Sequence, residues 1–486
     1  MKLFLYMEKG MFSVNIFRTK PVSSLIAETK GKSGLKKALG PLDLTMLGIG
    51  CIIGTGIFVL TGVAAADLSG PALVLSFVFA GLACCFAALC YAEFASMIPV
   101  AGSAYTYGYA GLGEIWGWII GWDLILEYAV GIATVAIGWS GYVVNLLNNI
   151  GIVLPKAITS SPFEGGVINV PAMLIIALIA WLLISGVRNT SGVNGVIVII
   201  KVAVVLLFIV LAVWHVKPSN WTPFMPYGFN GVISGAAVVF FSYIGFDAVS
   251  TAAEETRNPQ RDMPRGIIAS LLICTVLYIA VSAILTGIVK YTAYKTPAGH
   301  NAPVAYALDL IGIHWGAALI SVGAICGITS VCLVLMFGQS RIFFAMARDG
   351  LIPKVLGGVS QKHQTPAVST TIVATVCALT AGLFPIGIVS ELVSIGTLVA
   401  FIIVCAGTIV LRYKRKDLQR SFKAPFFPVT PILGILSCGY LISGLQPATW
   451  IRFIVWFVLG LIVYFAYSYK HSALRAKSGV EEQVQN

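Results

Sequence analysis

The stretch LGIGCIIGTGIF, residues 47–58, lies inside an apolar run long enough for a membrane helix, yet it carries glycine at 48, 50, 54 and 56. Each interior glycine costs roughly 1 kcal/mol of helix stability relative to alanine. In hydrocarbon, any backbone N–H or C=O freed by unwinding needs another partner. The spacing therefore predicts a helix interrupted at Ile53-Gly54-Thr55-Gly56, with something polar beside the break. Close helix packing through small residues is the competing explanation, and Gly50 and Gly54 have its spacing.

The surrounding composition makes the run one of many. Hydrophobic residues form 58% of the chain and charged ones 10%, with a mean hydropathy of +0.92, far from the roughly 25% charged share of soluble domains. A span needs about 20 apolar residues, and such runs begin near residues 42, 71, 113, 169, 192, 230, 265, 314, 366, 386, 428 and 449. The expected fold class is an all-α membrane protein with 12 transmembrane helices. The net charge of +12 is explained by topology and not by nucleic acid. With both termini cytoplasmic, inner segments hold 25 of the 31 Lys and Arg, as the positive-inside rule requires. The expected location is the cell membrane, multi-pass. The ten cysteines fall in apolar runs without metal-ligand spacing and read as small hydrophobes; neither a metal nor a cofactor is expected. Residues 1–41 read as a cytoplasmic arm and 470–486 as a cytoplasmic tail.

A second run is interrupted in the same style at FFSYIGFD, residues 240–247. It lies five spans after the first. That separation predicts two five-helix halves, 42–216 and 229–411, inverted relative to each other because five is odd, with discontinuous helices 1 and 6. Spans 11 and 12, over 428–469, are expected at the periphery. The basic stretch LRYKRKDLQRSFKAPFFP, residues 411–428, is expected to meet anionic lipid headgroups.

Unwinding at the two breaks exposes donors and acceptors at mid-membrane. The helix resuming near Thr55 and Gly56 offers free N–H groups and a positive dipole end, suited to a carboxylate. Carbonyls near Ile52, Phe240, Phe241 and Ser242 are left to accept from an ammonium. Together they form a receptor for a zwitterion.

Lys201 stands alone in the middle of the fifth run, where a charge is costly. Burial disfavours an ammonium relative to the amine, so proton coupling is one role; a permanently charged lysine tied to helix-end carbonyls is the other. Asp123 and Glu127 lie four residues apart, on one helix face. Glu127 and Asp247 are candidates for ion coupling or for holding the core. Glu93, near the inner end of span 2, is a candidate gate or hydrogen-bonding residue. His215 and His314 sit at span ends, where solvated histidines are the default. AEETRNPQRDMPRG (253–266) and SRIFFAMARDG (340–350) are charged inner connections whose opposite charges can pair.

Four longer pieces, LGIGCIIGTGIFVLTG (47–62), YAEFASMIPVAGSAYTYGY (91–109), FFSYIGFDAVSTAAEETRNPQRDMPRGI (240–267) and FGQSRIFFAMARDGLIP (337–353), occur in the order found in one family. Over residues 35–470 the chain resembles the amino acid-polyamine-organocation transporters, and among them the bacterial relatives of the cationic amino acid transporters. The resemblance implies the LeuT-type inverted-repeat fold, alternating access, and an amino acid held by its backbone groups between spans 1 and 6. It implies a carboxylate near Gly54, Thr55 and Gly56, an ammonium at carbonyls around Ile52, Ile53, Phe240 and Ser242, and an aromatic gate at Phe241. It also assigns Lys201 to the place where sodium-coupled relatives bind their ion, with side-chain contacts from Thr329 and Ser330 among others. No acidic residue stands next to the first break in the sequence. A guanidinium or second ammonium needs such a partner, which favours small or medium neutral L-amino acids over cationic ones.

The expected function is secondary, proton-coupled amino acid symport, with amino acid, protons and membrane lipids as partners. An exchanger, or a carrier of cationic amino acids or polyamines, is the alternative within transport; a polyamine lacks the carboxylate that the Thr55 helix end would hold. A channel or receptor-like protein is the alternative of another class, and no polar pore is evident. No nucleophile with a base points to an enzyme, and no P-loop to ATP.

Overall fold

The computed structural model describes residues 18–19, 39–98, 103–185, 190–358, 365–416 and 420–475. The expected arm over 1–41 and tail over 470–486 lie mostly outside them. Among the described residues the chain is helical, without a strand; a single bridge pairs Leu39 with Thr256.

In chain order the apolar helices are α1 (Pro41–Ile52), α2 (Gly56–Met97), α3 (Glu114–Asn149), α4 (Val170–Ile184), α5 (Gly195–His215), α6 (Gly228–Tyr243), α7 (Pro259–Ile288), α8 (His314–Arg348), α9 (Ala367–Leu383), α10 (Ile386–Lys414), α11 (Val429–Ser443) and α12 (Pro447–Arg475). Seven of them, α2, α3, α5, α7, α8, α10 and α12, are long and apolar enough to cross a membrane; the other five are shorter. Burial sorts centre from periphery. The most apolar stretch of α3 is 83% buried against the rest of the protein, that of α12 only 22%. α3 is therefore a central helix enclosed largely by its neighbours, and α12 a peripheral one.

α1 starts at Pro41, whose missing N–H costs nothing at that position, and the Asp43 carboxylate accepts from Gly40 N at 2.8 Å. It stops at Ile52 because Ile53 is extended (φ −72°, ψ 105°). The helix resumes at Gly56 as α2, which turns at Gly70 (φ 61°). The second interruption is sharper. α6 tightens into a 3-10 turn over Phe240–Tyr243, Ile244 is extended (φ −60°, ψ 137°), and Gly245 has φ 111° before a 3-10 segment Asp247–Glu255. A side chain at Gly245 would meet both that strained φ and the backbone of Cys51, so only glycine suits the crossing.

Beneath the breaks, at the end of α2 where the basic residues gather, aromatic rings cluster around Phe401, Tyr91 and Phe240 edge to face and Phe246 tilted. Phe246 and Phe401 lie 5.1 Å apart between centroids, Tyr91 and Phe401 5.4 Å, and Phe240 and Phe401 5.6 Å. Such pairs add packing specificity beyond their area.

Glu93 is fully buried close by. Arg412 of α10 grips it with Nε and Nη2, Ala424 N donates to the same carboxylate at 2.8 Å, and Arg420 Nε stands 3.4 Å away. The Arg412 guanidinium also lies over the Phe427 ring at 4.3 Å. Two arginines of the 411–428 stretch therefore turn inward to a carboxylate, where lipid headgroups were expected. Removing one partner of a buried pair costs about 3–5 kcal/mol. Glu93→Ala is expected to destabilise the protein by an amount of that order, read as a lower midpoint of thermal unfolding in detergent. An unchanged midpoint would mean the clamp contributes nothing.

Candidate functional site

The two breaks meet. A Cβ placed on Gly56 would overlap Cα, Cβ and Oγ of Ser242, so the backbones touch with no side chain between them. Tyr278 of α7 ties them from behind: its hydroxyl lies 2.8 Å from Ile52 O and 2.8 Å from Ser242 O. One hydroxyl hydrogen serves one acceptor at full strength, which leaves accepting capacity on both carbonyls. The Thr55 and Ser242 hydroxyls are buried and have no partner among the described residues. Buried hydroxyls are normally paired.

Around this crossing lies a cavity of about 20 Å³, lined by Cys51, Ile52, Gly54, Thr55 and Gly56 at the first break, Phe241 and Ile244 at the second, Glu127, Gly131 and Val135 of α3, and Val331 and Leu335 of α8. That volume admits about one water. Anything of amino acid size enters only with a rearrangement of the walls, and Phe241, only 7% exposed, is the largest side chain among them.

Several residues singled out from the sequence thus share one cavity: Ile52, Gly54, Thr55, Gly56, Phe241 and Glu127 all line it. Ile53, Phe240 and Ser242 are buried at the breaks but do not line it. Thr329 and Ser330 are turned to other work. The Thr329 hydroxyl donates to Ile325 O at 2.7 Å and accepts from Trp139 Nε1 at 2.9 Å, while Ser330 donates to Gly327 O. Val331 and Leu335, one helical turn apart on α8, take the place facing the cavity. Glu93, in its clamp, is not part of the lining either.

Lys201 stands behind the first break. Its Nζ donates to Gly50 O at 2.6 Å, a carbonyl of the last turn of α1 that has no helical N–H to accept from. The stem of Lys201 runs against α8, where a Cβ on Gly327 would come within 2.9 Å of its Cγ. The side chain bridges α1 and α8 from α5.

The acidic residues converge as well. Asp123, Glu127 and Asp247 are all buried, at 4%, 3% and 2% exposure, and Asp123 precedes Glu127 by one turn on α3. The structure therefore places an acidic side chain, Glu127, against the first break, where the sequence showed none; it arrives from α3. At the protein's surface, Arg341 and Glu255 of the two charged connections stand 4.0 Å apart, His314 pairs with Asp309 at 3.1 Å, and His215 bonds Leu211 O within its own turn.

Gly131, Val135, Ile244, Val331, Leu335 and Tyr278 were not singled out from the sequence. The first two were within reach, since Glu127, Gly131 and Val135 repeat every four residues on one stripe of α3. Tyr278 is the single aromatic residue of α7, but nothing in the sequence shows that its hydroxyl meets the two breaks.

The family profile described as amino acid permease matches residues 39–468. The chain is 52% identical to the branched-chain amino acid permease BcaP of Bacillus subtilis (strain 168) over 466 residues, 95% of this chain and 99% of that one. It is 49% identical to the methylthioribose transporter of the same organism over 462 residues, 95% and 99% of the two chains. With the vacuolar cationic amino acid transporter 4 of Arabidopsis thaliana it shares 37% over 413 residues, 83% of this chain and 68% of the other.

Proposed function

This chain belongs to the amino acid permease family, and we propose that it imports a neutral, branched aliphatic L-amino acid together with a proton across the cell membrane by alternating access. The observation that carries this reading is the contact of Gly56 with Ser242: two interrupted helices offer loose backbone ends to one point, with apolar walls around it. In this reading the twelve apolar runs are spans, and 42–216 and 229–411 are inverted halves of a LeuT-type fold with both termini cytoplasmic.

The substrate carboxylate lies at the N–H groups of Gly54, Thr55 and Gly56, with the free Thr55 hydroxyl adding a donor. The ammonium lies at the carbonyls of Ile52, Ile53, Phe240 and Ser242. Val135, Ile244, Val331 and Leu335 then present branched and aliphatic surface to the side chain, which suits leucine, isoleucine or valine. A protonated Glu127 keeps the wall neutral and passes its proton through the cluster with Asp247. Lys201, when charged, holds the end of α1 against α5 and α8; when neutral, it holds it less firmly. Phe241 covers the substrate.

The test is uptake by purified protein in vesicles under an imposed inward proton gradient, with labelled leucine, isoleucine, valine, lysine and methylthioribose. Branched-chain amino acids are expected to accumulate at least about tenfold over lysine, the worth of roughly 1.4 kcal/mol. Accumulation of lysine or methylthioribose in preference would sink the substrate reading. Indifference to the gradient would sink the coupling.

A further inference from the structure

A second cavity, of about 520 Å³, lies away from the crossing, between α3, α8, α9, α10 and α12. Its size falls in the roughly 300–1,000 Å³ range of small-molecule sites. Its walls are apolar apart from Gln339, Thr380, Arg452 and the indole of Trp456. The Thr380 hydroxyl is spent on Val376 O. Gln339 is not: it is 0% exposed, and both its amide oxygen and its amide nitrogen lack a partner among the described residues, as does Trp456 Nε1.

Buried polar groups without partners are rare and expensive, and the two unpartnered donors on this wall, Gln339 Nε2 and Trp456 Nε1, point to a ligand that carries a hydrogen-bond acceptor. The rest of the ligand must be apolar and elongated, because the lining runs along α9 from Ile372 to Thr380, about 12 Å of helix at 1.5 Å per residue, and continues to Phe384 just past the helix end. The wall on the outer side is α12, the least buried of the candidate spans. Beside the cavity it is fastened to α3 where Trp122 stacks on Trp456 at 4.5 Å and donates to Trp456 O; its further ties to α3, from Trp118 Nε1 to Gly460 O and from Tyr464 to Glu114, lie beyond the cavity lining. Hydrocarbon chains of the bilayer are therefore next to the cavity, whereas water would need two to four polar partners per molecule.

We propose that this cavity holds one acyl chain of a membrane glycerophospholipid, with an ester carbonyl accepting from Gln339 Nε2 and Trp456 Nε1. The chain fills the space between α9 and α3 and joins α12 to the core. The site is separate from the central cavity, and its occupant is not transported.

Native mass spectrometry of protein purified from its membrane in mild detergent tests this. The wild-type protein should carry one retained phospholipid per chain. Leu392→Trp and Ala129→Phe, each of which pushes an aromatic ring into the cavity, should cut that occupancy at least about tenfold, and Gln339→Leu should cut it by a few fold. Substrate-dependent protection against thermal unfolding serves as the folding control for all three variants. Wild-type protein free of phospholipid would overturn the assignment, as would equal retention in both bulky variants. A dimer dissociated by those variants would give the cavity to a second copy and overturn it too.

Discussion

Lys201→Ala is expected to abolish the response of uptake to a proton gradient and to lower accumulation by roughly ten- to a hundredfold. The estimate follows from one contact. The Lys201 ammonium donates to Gly50 O at 2.6 Å, and a buried hydrogen bond from a charged donor contributes about 1.5–3 kcal/mol, each 1.4 kcal/mol being a factor of ten. Alanine removes that bond, leaves Gly50 O buried without its donor, and empties the space beside Gly327. The end of α1 then loses its tie to α5 and α8 in every state, so the balance between states no longer depends on a proton at this position. Wild-type protein in vesicles should take up more substrate as the outside is acidified, and the variant should give one low rate at every gradient. Substrate binding to detergent-solubilised protein should weaken far less than uptake, because Lys201 does not line the cavity. A variant that still follows the gradient would remove Lys201 from the coupling and leave Glu127 and Asp247 to carry it.

The legible part of the site was the part written in backbone requirements. Glycine at 54, 56 and 245 marks where a chain must bend or be approached closely, and the structure puts the first two on the cavity and the third at the crossing. A lone lysine in an apolar run is equally plain, since composition alone says it needs a partner; that the partner is Gly50 O could not be read, because it depends on how α5 lies beside α1. On α8 the cavity lining differs from the residues the resemblance implied: a hydroxyl on a helix readily bonds the carbonyl three or four residues back, and Thr329 and Ser330 both do, while Val331 and Leu335 line the cavity. Aliphatic Val331 and Leu335 carry no mark that separates them from lipid-facing neighbours. Glu93 was legible as a gate or hydrogen-bonding candidate, but its partners were not: charge pattern places the 411–428 arginines at the membrane surface, and only tertiary structure shows that Arg412 and Arg420 bend back over the end of α2.

Gly56→Ala should lower substrate affinity and uptake together by about tenfold to a hundredfold, although it adds a single methyl group. Overpacking of a tight contact costs about 1–3 kcal/mol, and here the group met is the Ser242 backbone itself, with Cα, Cβ and Oγ all overlapping the new Cβ. A flexible side chain could swing away; a Cα can move only with its chain. The two breaks must then part, which carries the Ile52 and Ser242 carbonyls away from the Tyr278 hydroxyl that both now meet at 2.8 Å. Gly439→Ala, in α11, is the matched control, because nothing lies within 4 Å of its added Cβ and alanine is the better helix former. Equilibrium binding of labelled leucine to the two purified variants separates the cases. If Gly56→Ala binds as tightly as Gly439→Ala, the crossing of the broken helices is not where the amino acid is held, and the cavity between α3 and α8 would have to recognise it without them.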